Sequence, residues 1–227
     1  MRYIVIAFIH VLCIASVFFM PVTYVLPSII SGYLIAGVGL SVGLHKYFTH
    51  QSFVTYKPFH YLLFLLSCIV TLGSPMEWAA VHRKHHRFSD KQGDPHSPSI
   101  YGWKTFFLYF FPAGTRDVEP KYAGKMIKDE EHLFVFRYYF LILTAYIGGI
   151  AMIDPLLLYP LYVFPVLWTI FGIGCSIYFA HKGGANNNML THIMTGGEGL
   201  HDLHHQNPAS LEHMGMSGFI AKLIRRN

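Results

Sequence analysis

The chain has 227 residues, of which 53% are hydrophobic and only 13% charged, and its mean hydropathy is +0.38. Soluble domains carry about 25% charged residues, so this composition excludes an ordinary water-soluble core and points to one integral membrane domain over residues 1–227. The net charge of +5, from 17 Lys and Arg against 12 Asp and Glu, argues for no nucleic-acid partner, because the basic residues flank apolar runs where juxtamembrane cations are ordinary.

Crossing a bilayer takes roughly 17–25 helical residues. The first run of that length is 3–20. Arg2 precedes it as in a signal peptide, but the run is long for one and no small-x-small cleavage site follows, so a retained span is expected. The second is 28–44, reached through a short turn between Pro21 and Pro27. A shorter run, 59–72, ends at Gly73-Ser74-Pro75 and reads as an interfacial or re-entrant helix. The aromatic patch 106–111 suits the headgroup zone. The third and fourth spans are 133–153 and 156–180, joined around Asp154-Pro155. Cys13, Cys68 and Cys175 lie in apolar runs without a CxxC, as buried thiols do. The expected fold is an all-α integral membrane protein with four transmembrane helices in two hairpins.

Neither hairpin turn contains Lys or Arg, whereas 45–132 holds eleven and 181–227 holds four. By the positive-inside tendency, both long segments and both termini lie on the cytoplasmic side, where they form a cap.

That cap holds three histidine clusters: His45 and His50; His82, His85 and His86; His201, His204 and His205. Helical residues at i, i+3 and i+4 share a face, so each trio points one way and can serve one metal or bridge two. His45 and His50 are five apart, about 140° around an α-helix, which suits two different metals. Eight imidazoles are twice what one tetrahedral zinc takes, so a dimetal site is the economical reading. Ligand type alone leaves iron, copper and zinc open. Glu77, Asp90, Asp94, Glu198 and Asp202 are near enough in sequence to accept the second N–H of metal-bound imidazoles. Turn chemistry in the loop 89–95 would also favour Asp90 and Asp94. His10, His60, His132 and His213 have no partner pattern and read as structural or interfacial, and His96 as a brace of its loop. Stepping back from His45 by helical turns gives Ser41, Gly37 and Tyr33, two small residues and a bulky one that leave a candidate slot with Tyr33 as its floor. Gly37 and Ser41 equally suit close helix packing.

The strings around these histidines resemble the acyl-CoA Δ9 (stearoyl-CoA type) fatty acid desaturases of the membrane di-iron proteins. His45-x4-His50-Gln-Ser-Phe53 is similar to their first box. The stretch Glu77-Trp78-x3-His82-x2-His85-His86, continuing to Asp94-Pro95-His96-Ser97-Pro98, is similar to the second. Gly197-Glu198-Gly199-Leu200-His201-x2-His204-His205 is similar to the third. The resemblance runs from about residue 30 to 208. It implies two iron ions that use O2 and two external electrons to place a cis double bond, at Δ9 by analogy, in a long-chain acyl-CoA or acyl lipid. It further implies membrane lipid as surroundings, in the endoplasmic reticulum or a bacterial inner membrane. A separate cytochrome b5-, ferredoxin- or rubredoxin-like donor would dock on the basic cytoplasmic face.

The family also has a ninth histidine, in an Asn-x-x-x-His pattern. Asn188-x3-His192 matches those letters, but Asn187-Asn188 fits an asparagine pair that the family carries thirteen residues before its third box. His181 is then the ninth ligand, and Ile177 replaces an asparagine that in the family holds a metal-bound water; a set of eight stays open. Trp78 is a tunnel wall by resemblance. Two further readings are a membrane di-iron lipid hydroxylase or oxygenase, and a non-catalytic metal-binding membrane protein.

Overall fold

The structure, a computed structural model, describes residues 2–107 and 118–226. Its elements are helical; the only extended pairings among the described residues are isolated bridges, Thr55 with Arg225 and Asn187 with Leu200. Of the aromatic patch 106–111, residues 108–111 lie outside the described residues.

Among the described residues, three helical stretches are long and apolar enough to cross a membrane: Val22–Thr49, Glu130–Ile153 and Pro155–Ala180. The first apolar run, expected as a span over 3–20, is not among them. It forms α1 (Arg2–Ser16) and a 3-10 turn (Val17–Phe19). Ser16 Oγ donates to the Cys13 carbonyl at 2.8 Å, and Pro21 then takes an extended conformation that ends the helix.

The second stretch contains α2 (Val25–Ala36), which continues without a break as a π-helix over Gly37–Thr49. Its backbone bonds span five residues, as in the 3.1 Å bond from the His50 N–H to the His45 carbonyl. Such turns are rare and concentrate at functional sites. The wide coil packs against α3 (Lys57–Ile69) through glycines. A Cβ on Gly39 would stand 2.5 Å from the Leu66 carbonyl oxygen, and one on Gly43 would collide with Ser67 Oγ. Ser67 Oγ donates to the Gly39 carbonyl at 3.1 Å, which ties the two elements together. α3 buries Leu63, Phe64 and Cys68 and exposes Phe59, Tyr61 and Leu62, an apolar outer face that suits a lipid boundary.

α4 (Pro75–Phe88) carries the second histidine cluster. Ser74 and Glu77 form a reciprocal capping box, and Pro75 occupies the first turn, where a missing N–H costs nothing. Arg83 then stitches α4 to its neighbours, donating to the carbonyls of Phe48, Thr49 and Ala123 at 3.1, 2.8 and 2.9 Å.

α5 (Glu130–Ile153) is capped by Asp129, whose carboxylate accepts the His132 N–H at 3.0 Å. α6 (Phe164–Ala180) packs against α2, where Gly32 lies against the Phe164 backbone. After α6 the chain folds into three short helices, α7 (Met189–Thr195), α8 (His201–Gln206) and α9 (Gly215–Ile224). Ser217 Oγ of α9 donates to the Gly196 carbonyl at 2.8 Å, fastening the tail beneath the third histidine cluster. The three thiols are buried, as expected.

Because Gly39 has backbone rather than a flexible side chain against it, Gly39→Val should destabilise the fold by about 1–3 kcal/mol, the usual cost of overpacking. The monodisperse fraction and thermal midpoint in detergent measure this. Gly148→Val, where an added Cβ meets nothing within 4 Å, should leave both unchanged.

Candidate metal centre

The histidines of distant segments converge into two clusters. His45, His50, His82, His86 and His204 bring their nitrogens within 4.8 Å of one another, and His85, His181, His201 and His205 do the same. α4 supplies both clusters, because His82 and His86 are one turn apart while His85 sits on the adjoining side. α8 does likewise, with His204 in the first cluster and His201 and His205 in the second.

His45 and His50 fall in the same cluster rather than serving two metals. The 140° separation holds for an α-helix, but the π-helix stacks residue i+5 above residue i. The same change of period explains where the expected slot lies. His45 and Leu40, five residues apart, line a narrow cavity at the clusters. Tyr33, Gly37 and Ser41 are not among its lining residues. The Tyr33 hydroxyl donates to the Ile193 carbonyl at 3.0 Å and its ring meets Trp168 edge-on, while Gly37 faces Met216 of α9. Trp78 does line the cavity, stacked on His82 with ring centroids 4.7 Å apart.

In both clusters the ring atoms that meet are Nε2. His45 and His204 approach to 2.9 Å, His86 and His204 to 2.9 Å, and His50 and His82 to 3.1 Å. In the second cluster His85 stands 3.0 Å from His181 and 3.3 Å from His205, and His205 stands 3.2 Å from His201. Ligands about 2.1 Å from a shared metal and at right angles to each other are about 3.0 Å apart. These separations therefore fit two metal ions, one held by five imidazoles and one by four.

The opposite ring nitrogens support that orientation. Nδ1 of His45 bonds Glu198 at 2.9 Å, Nδ1 of His85 bonds Asp94 at 2.9 Å, and Nδ1 of His181 bonds Asp90 at 2.9 Å. A carboxylate on Nδ1 holds the proton there and turns the Nε2 lone pair inward. The loop 89–95 is itself cross-braced. Asp94 accepts the N–H groups of Asp90 and His96, and Asp90 accepts the Ser97 hydroxyl. Turn geometry and imidazole support are thus one arrangement.

Glu77 and Asp202 contact other groups. Glu77 takes Arg2 at 3.0 Å and caps α4, and Asp202 accepts Gln206 at 3.0 Å on the exposed side of α8. Asn187 accepts the N–H groups of Asp202 and Leu203 at the start of α8, and Asn188 caps α7 through Thr191. His192 packs against the backbone of Gly199 and lies in neither cluster. Ile177 is buried one turn before His181 and lines the cavity beside the four-imidazole cluster.

Two contributors fall outside the ligand set expected from the sequence. Lys46 is buried, with its amine 3.2 Å from His204 Nδ1 and donating to the Pro208 carbonyl at 2.7 Å. As a basic residue next to a span it carried no distinguishing signal. His96 stacks on His85 at 4.3 Å and joins Asp94 in a third possible ligand group. Its place in the Asp94-Pro95-His96 string was the available hint.

Burial sets the protonation of the clusters. It pushes His86 down to about 2 and His205 to about 4, with neighbouring imidazoles adding to the effect. Burial also holds His82, His85, His201 and His204 well below the ordinary value. All are neutral at pH 7, the form that binds metal. Burial drives Asp94 up to about 6 against the N–H donors of His96 and Asp90. It also acts to raise Glu198 and Asp90, but bonds to His45 and His181 outweigh it and both carboxyls lie below their ordinary values.

Comparison with known proteins places this geometry. The family profile described as "Fatty acid desaturase" matches residues 19–213. The sn-1 stearoyl-lipid 9-desaturase of Anabaena variabilis is 28% identical over 194 residues, 80% of this chain and 71% of that protein. The acyl-CoA 5-desaturase AL21 of Anemone leveillei is 28% identical over 223 residues, 90% of this chain and 68% of that protein. The hex-5-enoyl-[acyl-carrier protein] acetylenase of Moorena producens (strain JHB) is 40% identical over 87 residues, 38% of this chain and 27% of that protein. The chain thus spans from about a quarter to about seven-tenths of the length of these relatives.

The geometry predicts that His181→Ala lowers bound metal, measured by inductively coupled plasma mass spectrometry, from about two ions per chain toward one, while His192→Ala leaves it unchanged. Metal-depleted protein should also lose thermal stability as pH falls. A histidine depressed in the fold contributes stability that is complete above about 6.5 and is lost toward its folded value, near 4 for His205. Asp94, raised to about 6, opposes this with a single proton against several. The midpoint should therefore fall between pH 7 and 5; a constant or rising midpoint would refute the neutral assignment.

Proposed function

The chain belongs to the fatty acid desaturase family, and on that premise we propose that it is an O2-dependent membrane oxidoreductase that introduces a cis double bond, at Δ9, into a long-chain acyl lipid or acyl thioester. The observation that carries this reading is the pair of clusters, five imidazoles and four, meeting at one apolar cavity.

His45, His50, His82, His86 and His204 would hold one iron, and His85, His181, His201 and His205 the other. The irons supply oxygen activation and the passage of two electrons, which no protein side chain can do alone. The chain supplies orientation and dryness. Glu198, Asp94 and Asp90 fix three imidazoles in the ligating tautomer. Trp78, Leu40, Ile173 and Ile177 wall the cavity, so that methylenes meet an apolar surface beside the imidazoles. Ile177 keeps the wall dry next to the four-imidazole cluster, where the resemblance leads one to expect an asparagine.

The long apolar helices lie in the membrane, α1 accompanies them as a fourth membrane helix, and the histidine-bearing segments face the cytoplasm with the basic residues. A separate electron-carrier protein docks on that basic face. Acyl-lipid and acyl-CoA carriers are both represented among the relatives' names.

Expression in a host that cannot make unsaturated fatty acids, followed by gas chromatography–mass spectrometry, tests the proposal. New cis monounsaturated acids are expected, and His85→Ala should reduce them to background. Hydroxy acids in their place, or no new lipid despite bound iron, would overturn it.

A further inference from the structure

The cavity has two polar ends. One is the pair of imidazole clusters, where the lining residues His45, His85, His181 and His201 are buried. The other is an ion pair, Arg2 with Glu77, whose side chains are 32% and 31% exposed. Between them the wall is apolar, formed by Ile6, Leu72, Trp78 and Ile177 among others. An apolar slot with an accessible charged end and a buried metal-ligating end matches a molecule with one polar head and a hydrocarbon tail.

Resting on the desaturase reading, we infer that Arg2 holds the polar head of the acyl substrate and that Glu77 competes with that head for the guanidinium. Arg2 NH1 lies 3.0 Å from both Glu77 oxygens, and its NH2 donates to the Phe136 carbonyl at 2.6 Å. The guanidinium also rests 4.1 Å over the Phe136 ring. Its position is therefore set by α5 independently of Glu77. A guanidinium fixed in this way binds carbonyl and phosphate oxygens in its plane. Acyl-CoA and phospholipid share that chemistry, a carbonyl followed by phosphate.

α4 is the ruler between the two ends. Glu77 precedes His82 by five residues and His85 by eight, about 8–12 Å at 1.5 Å per residue. A zigzag of 1.52 Å bonds at about 111° advances about 1.25 Å per carbon. Roughly six to ten carbons then separate the head from the imidazoles, so the methylenes in that range are the ones set beside the clusters. Head binding at Arg2 thus sets the double-bond position.

The test compares wild type, Arg2→Gln, Arg2→Lys and Glu77→Gln in lipid nanodiscs. Under argon, where nothing turns over, half-saturation is read from thermal stabilisation by stearoyl-CoA in one arm and distearoyl phosphatidylglycerol in the other. In air with reductant, mass spectrometry reads the double-bond position. Arg2→Gln should raise half-saturation about tenfold, the loss expected for one charge-assisted hydrogen bond, and spread the double bond over neighbouring positions. Arg2→Lys should restore most of both. Glu77→Gln keeps the α4 cap but removes the rival carboxylate, so it should lower half-saturation. The arm that shows these opposite shifts identifies the carrier. If Arg2→Gln and Glu77→Gln shift binding in the same direction, or the double bond stays in place, the pair is only a strut and the inference fails. If wild type makes product but neither variant differs from it, the inference fails and the desaturase reading stands. If wild type neither binds an acyl substrate nor forms product, both fail.

Discussion

Nine imidazole Nε2 atoms turned toward two points in a buried space are the constraint on which the rest of this structure depends. Neighbouring Nε2 atoms stand 2.9–3.3 Å apart, and most of the rings are buried. His85 and His181 both hold their proton on Nδ1 against a carboxylate, so their Nε2 lone pairs face one another at 3.0 Å and repel, and protonating them in that buried space would be costlier still. A shared cation turns the arrangement from unfavourable to favourable. The fold is organised to deliver rings to those points: a π-helix for His45 and His50, a capped helix pinned by Arg83 for His82, His85 and His86, the end of a long apolar helix for His181, and a short helix begun by Asn187 for His201, His204 and His205.

The supporting groups follow from the same demand. Three carboxylates sit on Nδ1 atoms, and two of them, Asp94 and Asp90, are held by further donors, so those imidazoles cannot turn without breaking several bonds. Trp78, Leu40, Ile173 and Ile177 line the cavity together with imidazoles of both clusters, an apolar wall that favours methylenes over water beside those nitrogens. The imidazole clusters and the apolar cavity wall are therefore built by neighbouring residues on the same few helices.

Much of this was legible in the sequence, for a physical reason. The trios on α4 and α8 obey α-helical periodicity, so their shared faces could be read from spacing alone. Asp90, Asp94 and Glu198 were legible because imidazole ligands need anchors nearby. What misled was local geometry that spacing does not encode. Close packing of Gly39 and Gly43 on α3 accompanies a five-residue helical period, so His45 and His50 share a cluster and Leu40 replaces Ser41 along the cavity. Glu77 is drawn to Arg2, a partner 75 residues away, and Lys46 to His204, a partner 158 away; neither pairing leaves a trace in local pattern.

Anomalous diffraction at the iron edge, from crystals of protein purified without added metal, tests the central claim most directly. Two iron peaks are expected, one among His45, His50, His82, His86 and His204 and the other among His85, His181, His201 and His205. A single peak, or two peaks that follow the zinc edge instead, would contradict the account.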